Sequence, residues 1–125
     1  MTRADIPYLR LCNERLAGAP IARPEDVVSW LGAVQSQDYA GAKWGLAQRC
    51  AGDVTSAQID ALFNAGKILR THVMRPTWHF VAPEDLRWLL KLTAPRVRQV
   101  NSYMHRQLEI YAAVLRKGAR AIEKA

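Results

Sequence analysis

Gln35 and Gln37 stand two residues apart in Gly32-Ala33-Val34-Gln35-Ser36-Gln37-Asp38-Tyr39-Ala40-Gly41, directly after an apolar helical run. A carboxamide offers an acceptor oxygen and a donor NH₂, so two of them can hold one small polar object, such as a water, between them. Glutamine is a poor base; its part in a reaction is to position a reactant and to stabilise charge. The pair has this meaning in only one backbone conformation. Side chains at i and i+2 leave the same face of an extended strand, whereas in a helix they point nearly opposite ways.

The elements around the pair belong to one ordinary core, since 125 residues are too few for two comfortable ones. Half the residues are apolar and 23% are charged, which is globular composition. No window approaches about 18 consecutive apolar residues and the N-terminus lacks a basic-then-apolar layout, so a cytoplasmic protein away from membranes is expected. The net charge of +7 is uneven. Residues 1–66 hold six Lys/Arg against seven Asp/Glu, and residues 67–125 hold twelve against four. A basic half on a neutral half is the footprint of a polyanion binder, or simply a soluble basic surface.

Taken in order, residues 4–17 predict a first amphipathic helix with Ile6, Leu9, Cys12 and Leu16 on its apolar face and Gly18 as its stop. Pro24 with Glu25 and Asp26 marks the start of a second helix, whose expected buried stripe is Val27, Trp30, Leu31 and Val34. Residues 38–41 read as a turn, and Ala42 to Cys50 as a short helix. Thr55-Ser56-Ala57-Gln58 is a capping box opening a helix with Ile59, Leu62 and Phe63 on its apolar face and a glycine stop at Gly66. From Lys67 the period turns extended: residues 68–74 and 77–81 are rich in β-branched and aromatic types. They predict a β-hairpin with Arg75-Pro76 at its tip, where proline forbids ladder pairing. Pro83-Glu84-Asp85 starts another helix with Leu86, Leu89 and Leu90 buried, which Pro95 is expected to break near Thr93. A long amphipathic segment then runs from Arg96 through Val97, Val100, Met104, Leu108 and Tyr111 to the end. Its periodicity continues to Ala125 without a cap, so the chain is read as truncated.

Helix, short strand, helix, helix, hairpin is the order of a winged helix-turn-helix. The fold class expected is therefore mainly α with a small β-hairpin. In that arrangement the short strand pairs with the hairpin, which extends residues 34–37 and puts both glutamines on one face. The helix at 56–65 takes the recognition position, yet Ser56, Gln58, Asp60, Asn64 and Lys67 supply one cation among them. A different face is expected to meet DNA: Arg70, His72, Arg75 and His79 on the hairpin, with the Arg75-Pro76 tip gripping phosphate or probing a groove. His72 and His79 also read as packed, hydrogen-bonded core histidines. Their His-x6-His spacing has no carboxylate or thiol companion, and no metal is assigned. Trp44 and Trp78 are expected in the core, and Cys12 and Cys50 as free thiols.

Residues 31–44, 69–81 and 83–90 together carry a resemblance to the winged-helix DNA-binding family that contains the AlkZ-like and YcaQ-like bacterial DNA glycosylases. The motifs are Val34-Gln35-Ser36-Gln37-Asp38-Tyr39, Lys43-Trp44, Leu69-Arg70-Thr71-His72-Val73-Met74-Arg75-Pro76-Thr77-Trp78-His79-Phe80 and Pro83-Glu84-Asp85-Leu86. The resemblance implies a tandem winged-helix array around a DNA channel. This chain would supply its first module, a winged-helix domain with an N-terminal helix over 1–92, and over 93–125 a long helix leading into a missing second one. It implies excision of alkylated purines, including bases in interstrand crosslinks, by a Gln-apolar-Gln or Gln-apolar-Asp motif, here in its glutamine version. Gln35 and Gln37 match it, with Ser36 where the family has an apolar residue. Arg70, His72, Arg75, His79 and Lys43 become the candidate DNA-binding residues, double-stranded DNA with alkylated or crosslinked bases the expected partner, and no cofactor is implied. Two other readings stand beside the enzyme: a non-catalytic winged-helix regulator, and a truncated inactive product that associates with itself.

Overall fold

The computed structural model describes residues 5–74 and 77–125, so the hairpin tip, Arg75-Pro76, lies outside the described residues. Among them the elements run α1 (Asp5–Asn13), α2 (Pro24–Leu31), β1 (Ala33–Gln35), α3 (Tyr39–Ala47), α4 (Ser56–Asn64), β2 (Leu69–His72), β3 (Trp78–Val81), α5 (Pro83–Gln107) and α6 (Ala112–Glu123). The molecule is mainly helical, with one small antiparallel sheet in the order β1-β3-β2. The hairpin expected from the sequence is β2–β3, and the short strand after α2 joins it by pairing with β3.

One core holds the arrangement together. Val27 and Val28 of α2, Leu46 of α3, Ile59 of α4, Ile68 before β2 and Phe80 of β3 are buried against one another. Three rings fill its centre: Phe80 lies 4.9 Å from Phe63 and 5.7 Å, edge-on, from Tyr39. A smaller cluster of Val73, Val81 and Leu89 ties the sheet to α5. The α4 capping box forms as expected, with the Thr55 N–H donating to Gln58 Oε1 at 2.8 Å and the Gln58 N–H to Thr55 Oγ1 at 3.3 Å.

Several expectations are corrected. α1 ends at Asn13, short of Gly18, because Arg15 turns left-handed (φ 56°), and none of its residues is buried. Trp30 is 53% exposed: Val27 and Val28 face the core, and the indole instead donates to the Asn13 carbonyl (3.0 Å) beneath the Arg15 guanidinium. Trp44 is 66% exposed, not a core residue. The inward face of α3 is taken by Ala42, Lys43 and Leu46. That helix starts at Tyr39, not Ala42, because Asp38 caps it by accepting from the Gly41 N–H (3.1 Å). Gly41 is required there, since a Cβ would stand 2.6 Å from the Asp38 carboxylate. Leu90 is exposed where a buried stripe is expected, leaving Leu89 as the buried residue of α5.

Pro95 does not break its helix: α5 runs through it as one 25-residue element. Proline removes the N–H that would reach the Lys91 carbonyl and crowds that carbonyl with its ring, a cost the helix absorbs. Lys91 is exposed, so water can serve the freed acceptor. Upstream, the Thr93 hydroxyl lies within reach of the Leu89 carbonyl (2.7 Å) and the Val73 carbonyl, tying the helix to the hairpin. The break comes instead at Leu108–Tyr111, where Glu109 turns left-handed (φ 55°) before α6 begins. No helix among the described residues is long and apolar enough to cross a membrane.

Candidate functional site

β1 is an edge strand, entered from α2 through Gly32, whose left-handed φ of 74° makes the turn without a Cβ penalty. Its register sets Val34 opposite Phe80 and Gln35 opposite His79, and the Ser36 N–H carries the pairing one step further to the Trp78 carbonyl at 2.8 Å. This extension gives the glutamines their geometry. Ser36 is fully buried, while Gln35 and Gln37 are both exposed on the other side. Both border one open hollow of about 440 Å³, with Val34, Ala42, Gly41 and Gly45 as its low walls and Asp38 on its rim. Gln37 is steadied by its Oε1, which accepts from the Trp78 N–H at 3.3 Å and keeps a second lone pair for another donor.

The peptide carbonyl between the two glutamines is held from the hairpin. Arg70 donates to the Ser36 oxygen from Nη2 (2.9 Å) and Nε (3.3 Å). Its guanidinium lies 4.6 Å from the Trp78 ring and 5.3 Å from the Tyr39 ring. Planar donors, a charged hydrogen bond and two aromatic neighbours make this a rigid clamp, which a lysine could not copy. The Ser36 hydroxyl itself is buried with no hydrogen-bond partner among the described residues. Replacing Arg70 by Gln should slow any reaction at the hollow by up to about a hundredfold, the scale of a 1 Å misplacement, with duplex affinity changed far less. A fall of affinity and turnover in equal measure would show Arg70 to touch DNA directly instead.

Elsewhere on α3, Lys43 joins that helix to α4. Its side chain is 10% exposed, and Nζ donates to Ser56 Oγ (2.6 Å) and to both Asp60 oxygens (2.9 and 3.0 Å). The Tyr39 hydroxyl donates to Asp60 Oδ1 at 2.8 Å. The Lys43 ammonium, and then the Tyr39 hydroxyl, hold the Asp60 carboxyl below its ordinary pKa; burial, and then the Asp60 bond, push the Tyr39 hydroxyl up. Because the folded carboxyl is the stronger acid, Asp60 adds stability above its unfolded pKa and loses it as pH falls through the folded value. Asp60→Asn should therefore lower the melting temperature at pH 7, with the gap to the parent closing as both are titrated below about pH 3.8. A gap that stays constant with pH would exclude the carboxylate as its cause.

The other sequence candidates are placed differently. Lys43 turns its charge inward. His72 is exposed and stacks on Trp78 at 4.1 Å between ring centroids. His79 is buried, with Nδ1 2.9 Å from the Thr77 carbonyl, which fits the packed reading. Arg75 lies outside the described residues. Sequence reasoning missed Asp38 on the rim of the hollow and the Tyr39–Asp60 pair that holds Lys43. Asp38 carried a legible signal, an N-cap type three residues before a glycine, whereas the reach of Tyr39 to Asp60 across 21 positions left none.

A model of the AlkZ-like DNA glycosylase family matches residues 28–125, a span that takes in both glutamines, the whole sheet and α6. No curated protein and no solved structure matches the chain. The match covers well over half of the 125 residues and every element that builds the hollow, and on that ground the chain belongs to the AlkZ-like DNA glycosylase family.

Proposed function

We propose that this chain carries the glutamine-bearing part of a monofunctional DNA glycosylase that hydrolyses the N-glycosidic bond of alkylated purines, N7-alkylguanine or crosslinked bases among them. The observation that carries this reading is that Gln35, at the end of β1, and Gln37, in the bend after it, are both exposed and border the same hollow, with Ser36 buried between them. An N7-alkylguanine is already cationic, so its departure needs no strong general acid. What remains is to place a water against C1′ and to stabilise a sugar acquiring oxocarbenium character. The carboxamide oxygens of Gln35 and Gln37 accept from that water, the NH₂ groups orient it, and the Asp38 carboxylate on the rim adds negative charge beside the cationic sugar. Neutral amides give no general-base strength, so unmodified DNA survives.

The frame is a winged helix-turn-helix. The order α2-β1-α3-α4-β2-β3, with β1 paired to β3, supports it. Residues 1–92 form the first module of a tandem array and 93–125 lead toward the next. His72, Arg75 and neighbouring hairpin residues meet the duplex, while Arg70 holds the glutamine loop. The test is a duplex with a single N7-methylguanine, incubated with the chain and then cleaved in alkali at abasic sites. Cleavage confined to the modified strand position is expected. Duplex binding that leaves no abasic sites would sink the enzyme reading and favour a non-catalytic DNA-binding module.

A further inference from the structure

α6 divides into two unlike sides. At 100° per residue, Arg116, Lys117, Arg120 and the C-cap Lys124 fall within an arc of about 100°, with Ala113 inside it and Ala121 about 40° beyond its edge. These six residues line an open hollow of about 430 Å³. Tyr111, Val114, Leu115 and Ile122 occupy the opposite side, and Glu123, the one acid of α6, sits at the edge of the basic arc. None of the four cations is ion-paired among the described residues.

A solvated helix face ordinarily mixes signs, because opposite charges at i and i+4 support the helix. Here Arg116–Arg120 and Arg120–Lys124 are like-charged i, i+4 pairs, which oppose it. A polyanion laid along the arc removes that repulsion. From residue 116 to 124 the helix rises about 12 Å, the axial length of three to four phosphates of one strand at about 3.4 Å each. The short side chain of Ala113 lets a strand approach the helix between the cations, and that of Ala121 leaves room beside them. We propose that this face of α6 is a second binding surface for the phosphate backbone of duplex DNA, separate from the glutamine hollow. It rests on duplex DNA being the partner and not on catalysis, so base release can fail without touching it.

The test measures affinity for a short unmodified duplex across a range of salt, by fluorescence anisotropy, for the full chain and for a variant with Arg116→Gln, Lys117→Gln, Arg120→Gln and Lys124→Gln. All four side chains are exposed, and circular dichroism checks that helix content is kept. The variant should bind at least about tenfold more weakly at low salt, with a log–log salt slope shallower by about 2–4, near 0.9 for each phosphate left unneutralised. Arg116→Lys with Arg120→Lys keeps the charge and should keep the slope. Unchanged affinity and slope in the quadruple variant would overturn the proposal and leave a solvated face. So would unchanged DNA binding alongside abolished binding to phosphatidylserine-containing vesicles, which would make α6 a membrane-surface helix. A parent chain with no duplex affinity overturns this surface together with the DNA-directed reading.

Discussion

Gln35→Ala and Gln37→Ala should each lower the rate of base release from N7-methylguanine by about 10²–10³, the scale of removing one preorganised polar group from a site of developing charge. Duplex affinity should stay within a few-fold, because the phosphate backbone supplies most of the binding and neither side chain is charged. The two positions should differ in a second respect. Gln37 also accepts from the Trp78 N–H, so its removal frees one tie between the loop and β3, whereas the Gln35 backbone is held in the ladder opposite His79 whatever its side chain. Single-turnover rates and binding measured on the same preparations separate the effects. Base release surviving both substitutions would move the chemistry away from the glutamines, to Asp38 on the rim or to residues beyond the hollow.

Phe80→Ala should cost about 3–5 kcal/mol of folding stability, the usual range for deleting a buried phenyl ring. Phe80 is fully buried, packs on Phe63 and Tyr39, and sits opposite Val34 and Arg70 on the two strands that flank it. Its removal empties the junction between sheet and helices, and the neighbouring rings cannot close the gap without moving the strand that holds Trp78. Since small domains have about 5–15 kcal/mol in total, a steep fall in the urea or thermal midpoint is expected. Phe80→Leu, which keeps most of the apolar volume, should recover much of it. A Phe80→Ala midpoint close to the parent would mean that the three rings are not the keystone of the core.

Much of the fold is readable because it rests on short-range chemistry. The capping box at Thr55–Gln58, the glycine stop at Gly66, the Pro-acid-acid starts at Pro24 and Pro83 and the change of period at Lys67 each act within a few residues, and each lies where residue type and spacing put it. The failures share a cause. Trp30 and Trp44 are exposed and Lys43 buried, against their residue types, because which face of an eight- or nine-residue helix turns inward depends on what it packs against. Pro95 reads as a break because proline removes one hydrogen bond and crowds the carbonyl four residues back. The exposed side of a long helix tolerates that deficit.

The same division runs through the site. By itself the sequence determined that two carboxamides stand two residues apart, that a hairpin follows, and that the basic charge lies in the second half; these are matters of residue type and spacing. Only the tertiary structure decided that β1 pairs with β3, which makes the chain extended at Gln35 and leaves both amides on one side. Only it turned Arg70 onto the Ser36 carbonyl, 34 positions away, and Lys43 onto Asp60. Such interactions join segments whose distance in the chain carries no information about their distance in space. They depend on the packing of Tyr39 and Phe63 against the buried ring of Phe80, which fixes the helices against the sheet.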